Sequence, residues 1–98
     1  MRNSGYEPIT MFWDDFSIAE RFGHDAIRNT YYLAVKAWYD DYKYLTELVM
    51  VLNHKIWQHH KTDEPTAKVY EELWNNADRF VSNYLKGEEL DYYNRITD

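Results

Sequence analysis

The fold is decided by residues 27–56, which read IRNTYYLAVKAWYDDYKYLTELVMVLNHKI. Apolar or aromatic side chains recur along this stretch at steps of three or four residues. They are Ile27, Tyr31, Val35, Trp38, Tyr42, Leu45, Val49, Leu52 and Ile56. This spacing follows one face of an α-helix and is close to the heptad seam of a coiled coil. The stretch therefore predicts helical structure and an all-α fold.

Two interpretations of the seam remain open. As one helix, residues 25–61 would form a rod of about 55 Å, which the rest of a 98-residue chain could not cover, so the seam would need a second copy. The one candidate break is Asp40-Asp41, because aspartate is a good N-cap and a poor interior residue. A turn there predicts two helices, about 25–39 and 41–60, that pack as a hairpin. We favour the break, since it makes a monomeric bundle possible.

The N-terminal part of the chain predicts one short helix. Residues 1–12 are expected to be a loosely ordered lead-in, followed by a helix over 14–22 that Thr10 or Asp14 caps. Gly23 stands where a helix C-terminus favours a left-handed residue. The apolar side of this helix is Phe16, Ile18, Ala19 and Phe22.

The C-terminal third predicts another long helix and a tail. Thr62 or Asp63 caps the helix, Pro65 suits its first turn, and Gly87 ends it. The tail, residues 88–98, is expected to pack back as a short helix or to extend as an arm. The apolar side of the long helix is Val69, Leu73, Ala77, Phe80, Val81 and Tyr84. The prediction is one domain over residues 1–98, a bundle of three long helices and one short N-terminal helix.

The charge balance argues against direct nucleic-acid binding. Lys and Arg total 11, Asp and Glu total 17, and the net charge is −6. No two basic residues are adjacent, whereas a phosphate-binding surface needs clustered cations. Residues 62–98 hold nine acidic and four basic residues, so this region carries −5 of the net charge. A basic partner is expected there, although a solvated helix face explains the same pattern.

Composition also restricts the cellular compartment that we expect for the protein and the kinds of site that it can contain. The absence of cysteine excludes disulfides, thiolate zinc sites and a cysteine nucleophile. The first ten residues lack the apolar core of a signal peptide, and the longest apolar run, at 48–52, is far shorter than the about 20 residues that span a bilayer. We therefore expect a cytoplasmic protein that does not enter membranes.

Histidines and paired carboxylates are the candidates for catalysis or metal binding. His54, His59 and His60 lie at the end of the predicted third helix, but adjacent helical residues point about 100° apart, and the step of five from His54 misses the i, i+4 spacing of zinc helices. Capping or solvent exposure is expected, with a metal site or an enzyme as the weaker alternative. Carboxylate pairs such as Glu71-Glu72 lie near predicted helix ends and do not oppose one another across a cleft. We therefore predict no enzymatic activity, no cofactor and no metal.

The aromatic content is the most unusual feature of the sequence. Four Trp and ten Tyr exceed what a core of this size buries fully, and both residue types are favoured at the centres of protein interfaces. The simpler alternative is that they close the rim of the bundle half-buried. The predicted partner-binding residues are Tyr70, Glu71, Trp74 and Asp78, followed by Tyr44 and Trp57.

Two segments carry a resemblance. YKYLTELVMVLNHKIWQHH at residues 42–60, preceded by FWDDFSIAERFG at 12–23, resembles a group of small uncharacterised proteins encoded by phages, plasmids and other mobile elements of anaerobic bacteria. The resemblance runs from about Tyr6 to the final RITD and carries no catalytic motif and no assigned functional residues. It implies a context, in which small acidic proteins often bind a host or defence protein, anti-CRISPR proteins among them.

These observations lead to two hypotheses of different classes. The first is a non-enzymatic acidic protein that binds another protein, with a basic, nucleic-acid-binding CRISPR effector or another host protein as the candidate partner. The second is a self-assembling structural protein, a homodimer formed through the 27–56 seam.

Overall fold

The chain folds as a bundle of helices, which confirms the all-α prediction. The computed structural model describes residues 7–97 and the side chains of residues 11–95. Within that range it contains five helices and no strand. They are α1 (Glu7–Glu20), α2 (His24–Trp38), α3 (Tyr42–His59), α4 (Glu64–Tyr84) and α5 (Glu88–Thr97). None of the helices described here combines the length and the apolar character needed to cross a bilayer.

The seam breaks where the paired aspartates predicted a turn. The Asp41 carboxylate accepts hydrogen bonds from the backbone N–H groups of Lys43 at 3.1 Å and Tyr44 at 3.3 Å, and so caps α3. Such a cap stabilises a helix start by about 1 kcal/mol. The single-rod interpretation of residues 25–61 is therefore wrong. The predicted pairing also differs, because α2 packs chiefly against α1, and α3 packs chiefly against α4.

Helix α3 is the centre of the bundle, since the other four helices all contact it. Its buried apolar residues are Leu45, Leu48, Val49, Val51 and Leu52. The radius of gyration of 13.1 Å agrees with the about 13 Å expected for a single globule of this size. The chain covers its own seam, so the seam no longer provides an argument for a second copy.

The N-terminal helix is longer than the sequence predicted. It begins at Glu7 rather than at residue 14, so the expected lead-in is wrong from Glu7 onward, and residues 1–6 lie outside the described range. Phe16 and Ala19 are buried as predicted, but Ile18 and Phe22 are 55% and 77% exposed. Gly23 has φ +111° and ψ 179°, an extended conformation with positive φ that is essentially restricted to glycine. It lies at the N-cap of α2 instead of adopting the left-handed helical conformation.

The C-terminal third contains two helices joined by a short turn. Asp63 caps α4 by accepting from the Thr66 N–H at 3.3 Å and the Thr66 hydroxyl at 2.7 Å, as predicted. Helix α4 ends at Tyr84, before Gly87, whose carbonyl accepts from the Asp91 N–H in the first turn of α5. Of the two alternatives for the tail, the short helix is correct. The bundle thus has a fifth helix where three long helices and one short helix were predicted.

Candidate functional site

An apolar groove runs between α1 and α2 on the outside of the bundle. It encloses about 440 Å³. Helix α1 and the turn after it line one side with Met11, Asp15, Ile18 and Phe22. Helix α2 lines the other side with Ala26, Thr30, Leu33 and Ala37. Both sets follow the spacing i, i+4, i+7, i+11, so each is one stripe along a helix.

The floor of the groove belongs to the hydrophobic core. Phe12 and Ala19 are 2% and 5% exposed, and Trp38 packs half-buried beside them. Behind the floor, the Tyr44 ring lies over Trp38 with centroids 3.9 Å apart and meets Phe12 edge-on at 6.4 Å. These ring contacts fix the floor, so the groove is a formed feature of the fold.

The walls of the groove carry large apolar side chains that are exposed to solvent. Besides Phe22 and Ile18, Leu33 is 58% exposed and Met11 is 37% exposed. Asp15 is the only charged residue among the described residues that line the groove. Scattered exposed apolar residues are common, but a contiguous set around a concave surface is typical of an interaction site.

A buried polar network on the inner side of α1 holds that helix in place. Trp13, Ser17 and Glu20 share one face of α1 and meet Lys55 of α3, which is fully buried. The Lys55 ammonium donates to Ser17 Oγ at 2.8 Å, lies 3.1 Å from Glu20 Oε2, and sits 3.9 Å from the centroid of the Trp13 ring. A buried ammonium needs such partners, because an uncompensated charge in the core is strongly destabilising.

Glu20 connects this network to α4. Its Oε2 accepts a hydrogen bond from the Tyr70 hydroxyl at 2.6 Å, and His59 Nε2 lies 3.1 Å away, off the direction of a hydrogen bond. Burial on its own raises the pKa of Glu20, but Tyr70, His59 and Lys55 together hold that pKa below its usual range. Burial and the Glu20 carboxylate raise the pKa of Tyr70. The network joins α1, α3 and α4, so it positions α1 and thereby the groove.

Four of the residues predicted to bind a partner are wholly or partly enclosed. Tyr70 is 0% exposed: its ring fills the core and its hydroxyl donates to Glu20, so the side chain is not available to a partner at the surface. Trp74 and Tyr44 are half-buried against the core. Asp78 is half-buried and accepts a hydrogen bond from Tyr93, which attaches α5 to α4.

The two predicted residues that remain exposed are Trp57 of α3 and Glu71 of α4, and neither lines the groove. Trp57 is 69% exposed, and its ring meets His60 at 5.6 Å. Glu71 lines a depression between α2 and α4 together with Glu72, whose carboxylate is 3.3 Å from the Arg28 side chain. Lys68 and Arg79 line the same depression. The surface around Glu71 is therefore mixed in charge, not uniformly acidic.

The histidines separate in the fold. His54 and His60 are exposed, whereas His59 is half-buried beside Glu20 and stacks parallel to Tyr70 at 5.8 Å. In the part of the chain that the structure describes, no group of three His, Asp or Glu side chains converges as a metal site.

The sequence analysis missed the groove, although a signal for it was present. Helix α2 carries two apolar stripes, one through Ile27 and Tyr31 and another through Ala26, Leu33 and Ala37. Only the first coincides with the long seam. An excess of apolar residues over what one buried face requires indicates a second contact surface, but the identity of its neighbour, α1, depends on the tertiary fold.

Comparison with known proteins found no matching family model, no matching curated protein and no matching solved structure.

Proposed function

We propose that this chain is a non-enzymatic protein-binding protein and that the α1–α2 groove is its contact surface. The observation that carries the proposal is the exposure of Phe22, Leu33 and Ile18 around a floor that is already packed. Complete burial of such a side chain is worth about 1.5–3 kcal/mol, so three of them provide the apolar centre that protein interfaces need.

The partner we propose is a basic protein. The chain carries a net charge of −6, and the groove contributes Asp15, so long-range attraction speeds and steers the approach of a positively charged surface. Given the resemblance to mobile-element proteins, the candidate is a host or defence protein in the bacterial cytoplasm, such as a nucleic-acid-binding CRISPR effector, which the chain would inhibit by occupying it.

The arrangement of the polar side chains supports binding over catalysis. Lys55, Glu20, Tyr70 and His59 are the densest group of ionisable side chains described above, and they are used in contacts with one another between three helices. Lys55 is fully buried, so its ammonium serves the fold.

The proposal is tested by photo-crosslinking in the bacterial host. A photoreactive phenylalanine analogue replaces Phe22 in one variant and Tyr32 in another. The two positions are both strongly exposed, but only Phe22 lines the groove. We expect one protein to be crosslinked from position 22 and not from position 32. The Kd is then measured with that purified partner.

A matched pair of substitutions makes the test quantitative. Leu33 and Tyr32 are neighbours on α2 with 58% and 59% exposure, and of these two residues only Leu33 lines the groove. Leu33→Asp should weaken binding by at least about tenfold, while Tyr32→Asp leaves it unchanged. Losses confined to Trp57→Asp would transfer the site to α3, and losses confined to Glu71→Lys with Asp78→Lys would transfer it to α4. Binding that ignores added salt would remove the charge-steering part of the proposal.

A further inference from the structure

We infer that the occupant of the groove is a single amphipathic α-helix of the partner, about three turns long, with basic residues flanking its apolar face. This inference rests on the proposed function and adds the secondary structure, length and charge of the bound segment. Three features of the groove support it: the length of its walls, the small side chains among its lining residues and the sign of its charge.

The length of the walls matches a short helix. From Met11 to Phe22 and from Ala26 to Ala37, each wall covers eleven residue steps, or about 16 Å along a helix axis. A partner helix of about twelve residues has the same length and presents its own i, i+4, i+7, i+11 stripe. A helix of this length therefore contacts both walls from end to end.

The lining of the groove allows a helix to approach closely. Ala19, Ala26, Ala34 and Ala37 are small side chains among the lining residues, whereas Phe22 and Leu33 are large and mostly exposed on opposite sides. Helices pack about 8–10 Å apart, depending on the side chains at the contact, and small residues favour the shorter distance. A third helix laid between α1 and α2 would place its large apolar residues over the alanines and between the exposed walls.

Two other occupants fit the surface less well. A β-strand binds by adding to a sheet edge, but both walls are helices whose backbone groups are bonded internally. A second copy of the chain brings another net charge of −6.

The charge of the groove sets the sign of the flanking residues. Asp15 lies on the α1 wall, and the neighbouring Asp14 is exposed beside it. The α2 wall offers the uncharged Asn29 and Thr30. A Lys or Arg on the edge of the bound helix that faces α1 therefore gains an ion pair, and the same residue on the other edge does not. This asymmetry favours helices that are basic along one edge.

The experiment is a peptide selection on the intact chain. A displayed library of random peptides of about 16 residues is selected for binding to the wild-type protein and counter-selected on Leu33→Asp, with Phe22→Ser as a second groove variant if Leu33→Asp unfolds. We expect enriched peptides to have helical apolar spacing and net positive charge. Their affinity should fall by at least about tenfold for Leu33→Asp and by a smaller factor for Asp15→Lys, and should not change for Tyr32→Asp.

Several results overturn the inference. The helical occupant is refuted if the enriched peptides show strand-like alternation of apolar residues. It is also refuted if peptides bind the groove variants as well as the wild type, or if none is enriched over those variants. Sedimentation showing a concentration-dependent dimer that Leu33→Asp abolishes assigns the groove to a second copy. If a partner is crosslinked at position 22 but helical peptides do not compete with it, the proposed function stands and the helical occupant fails. If peptides bind in the groove but no partner is crosslinked, the proposed function fails and the chemistry of the groove stands.

Discussion

Helices α2 and α3 both carry apolar residues at helical spacing, but the fold treats them differently. In α3, Leu45, Val49 and Leu52 are at most 1% exposed, since the other helices surround it. In α2, Tyr31 is buried, whereas Leu33 two positions later is 58% exposed. The central helix buries most of its apolar residues, Trp57 excepted, whereas the peripheral helix leaves several available for binding. The contrast separates residues that maintain the fold from residues that are free to contact a partner.

The largest loss of stability is expected when the buried lysine of α3 loses its carboxylate partner. Glu20→Ala leaves the Lys55 ammonium, which is fully buried, without its carboxylate. We expect the free energy of unfolding in urea to fall by about 3–5 kcal/mol. The control is Glu20→Ala combined with Lys55→Met, which removes both charges and should recover most of the loss. A double variant as unstable as the single one contradicts the assignment of the effect to charge.

A pair of identical substitutions compares the two helices directly. Leu52→Ala in α3 empties a fully buried site and should lower the free energy of unfolding by about 3 kcal/mol. Leu33→Ala in α2 removes a mostly exposed side chain and should change it by less than about 1 kcal/mol. Chemical denaturation of the two variants gives both values. Equal losses would mean that the groove wall is part of the stabilising core.

Alkaline pH tests the anchored face of α2. Tyr31 is buried, its hydroxyl donates to Asn76 of α4 at 2.8 Å, and burial together with the neighbouring Tyr32 raises the pKa of Tyr31 to about 12 from a usual value of 10.0. At pH values below 10.0 the Tyr31 hydroxyl keeps its proton in both the folded and the unfolded chain, so its contribution to the free energy of unfolding is fully present. Between the two values only the unfolded chain ionises, and the free energy of unfolding should fall by up to about 2–3 kcal/mol.

The measurement is urea denaturation at several pH values across that window. Tyr31→Phe removes the ionisable hydroxyl and should make the decline shallower. It should not abolish it, because the pKa values of the buried Tyr70 and Tyr93 are also raised, for the same primary reason. An unchanged slope in Tyr31→Phe would show that Tyr31 is solvated in the folded protein.

The smallest expected effect is an increase in the free energy of unfolding when an unsatisfied buried carboxylate in α3 is replaced. The Oε2 atom of Glu47 is buried and no donor from the described residues reaches it, and burial raises the pKa of this carboxyl. Glu47→Gln replaces a buried charge with a neutral amide and should raise the free energy of unfolding by about 0.5–1 kcal/mol near neutral pH. Below the raised pKa the wild-type carboxyl is protonated, so the gain should disappear there. A gain that persists in acid contradicts the charge explanation.

Local chemistry explains which elements were predictable. Asp41 and Asp63 bond to backbone N–H groups only two or three residues away, so their capping roles follow from short-range sequence. The helix after Gly87 depends on contacts with distant residues, such as those of Tyr93, which is buried against the core. Such contacts leave little trace in local sequence, which is why the sequence does not decide between a short helix and an extended arm for the tail.

The predicted binding residues show the same division. Tyr70 and Trp57 are both aromatic residues of long helices, yet one is 0% and the other 69% exposed. Residue type and helical spacing do not distinguish them. The difference arises because α1 places Glu20 over Tyr70, whereas the ring of Trp57 meets only His60 among the aromatic contacts described here.

The sequence by itself determined the helical class and the acidic charge. It favoured the break before α3 and placed the cap of α4 at Thr62 or Asp63, because these features follow from residue types within a few positions of one another. Only the tertiary structure decided that Lys55 lies inside and that Phe22 and Leu33 lie outside around a groove. The physical reason is that burial depends on which helix covers a face. That choice is made by the sum of many weak contacts between residues far apart in the chain.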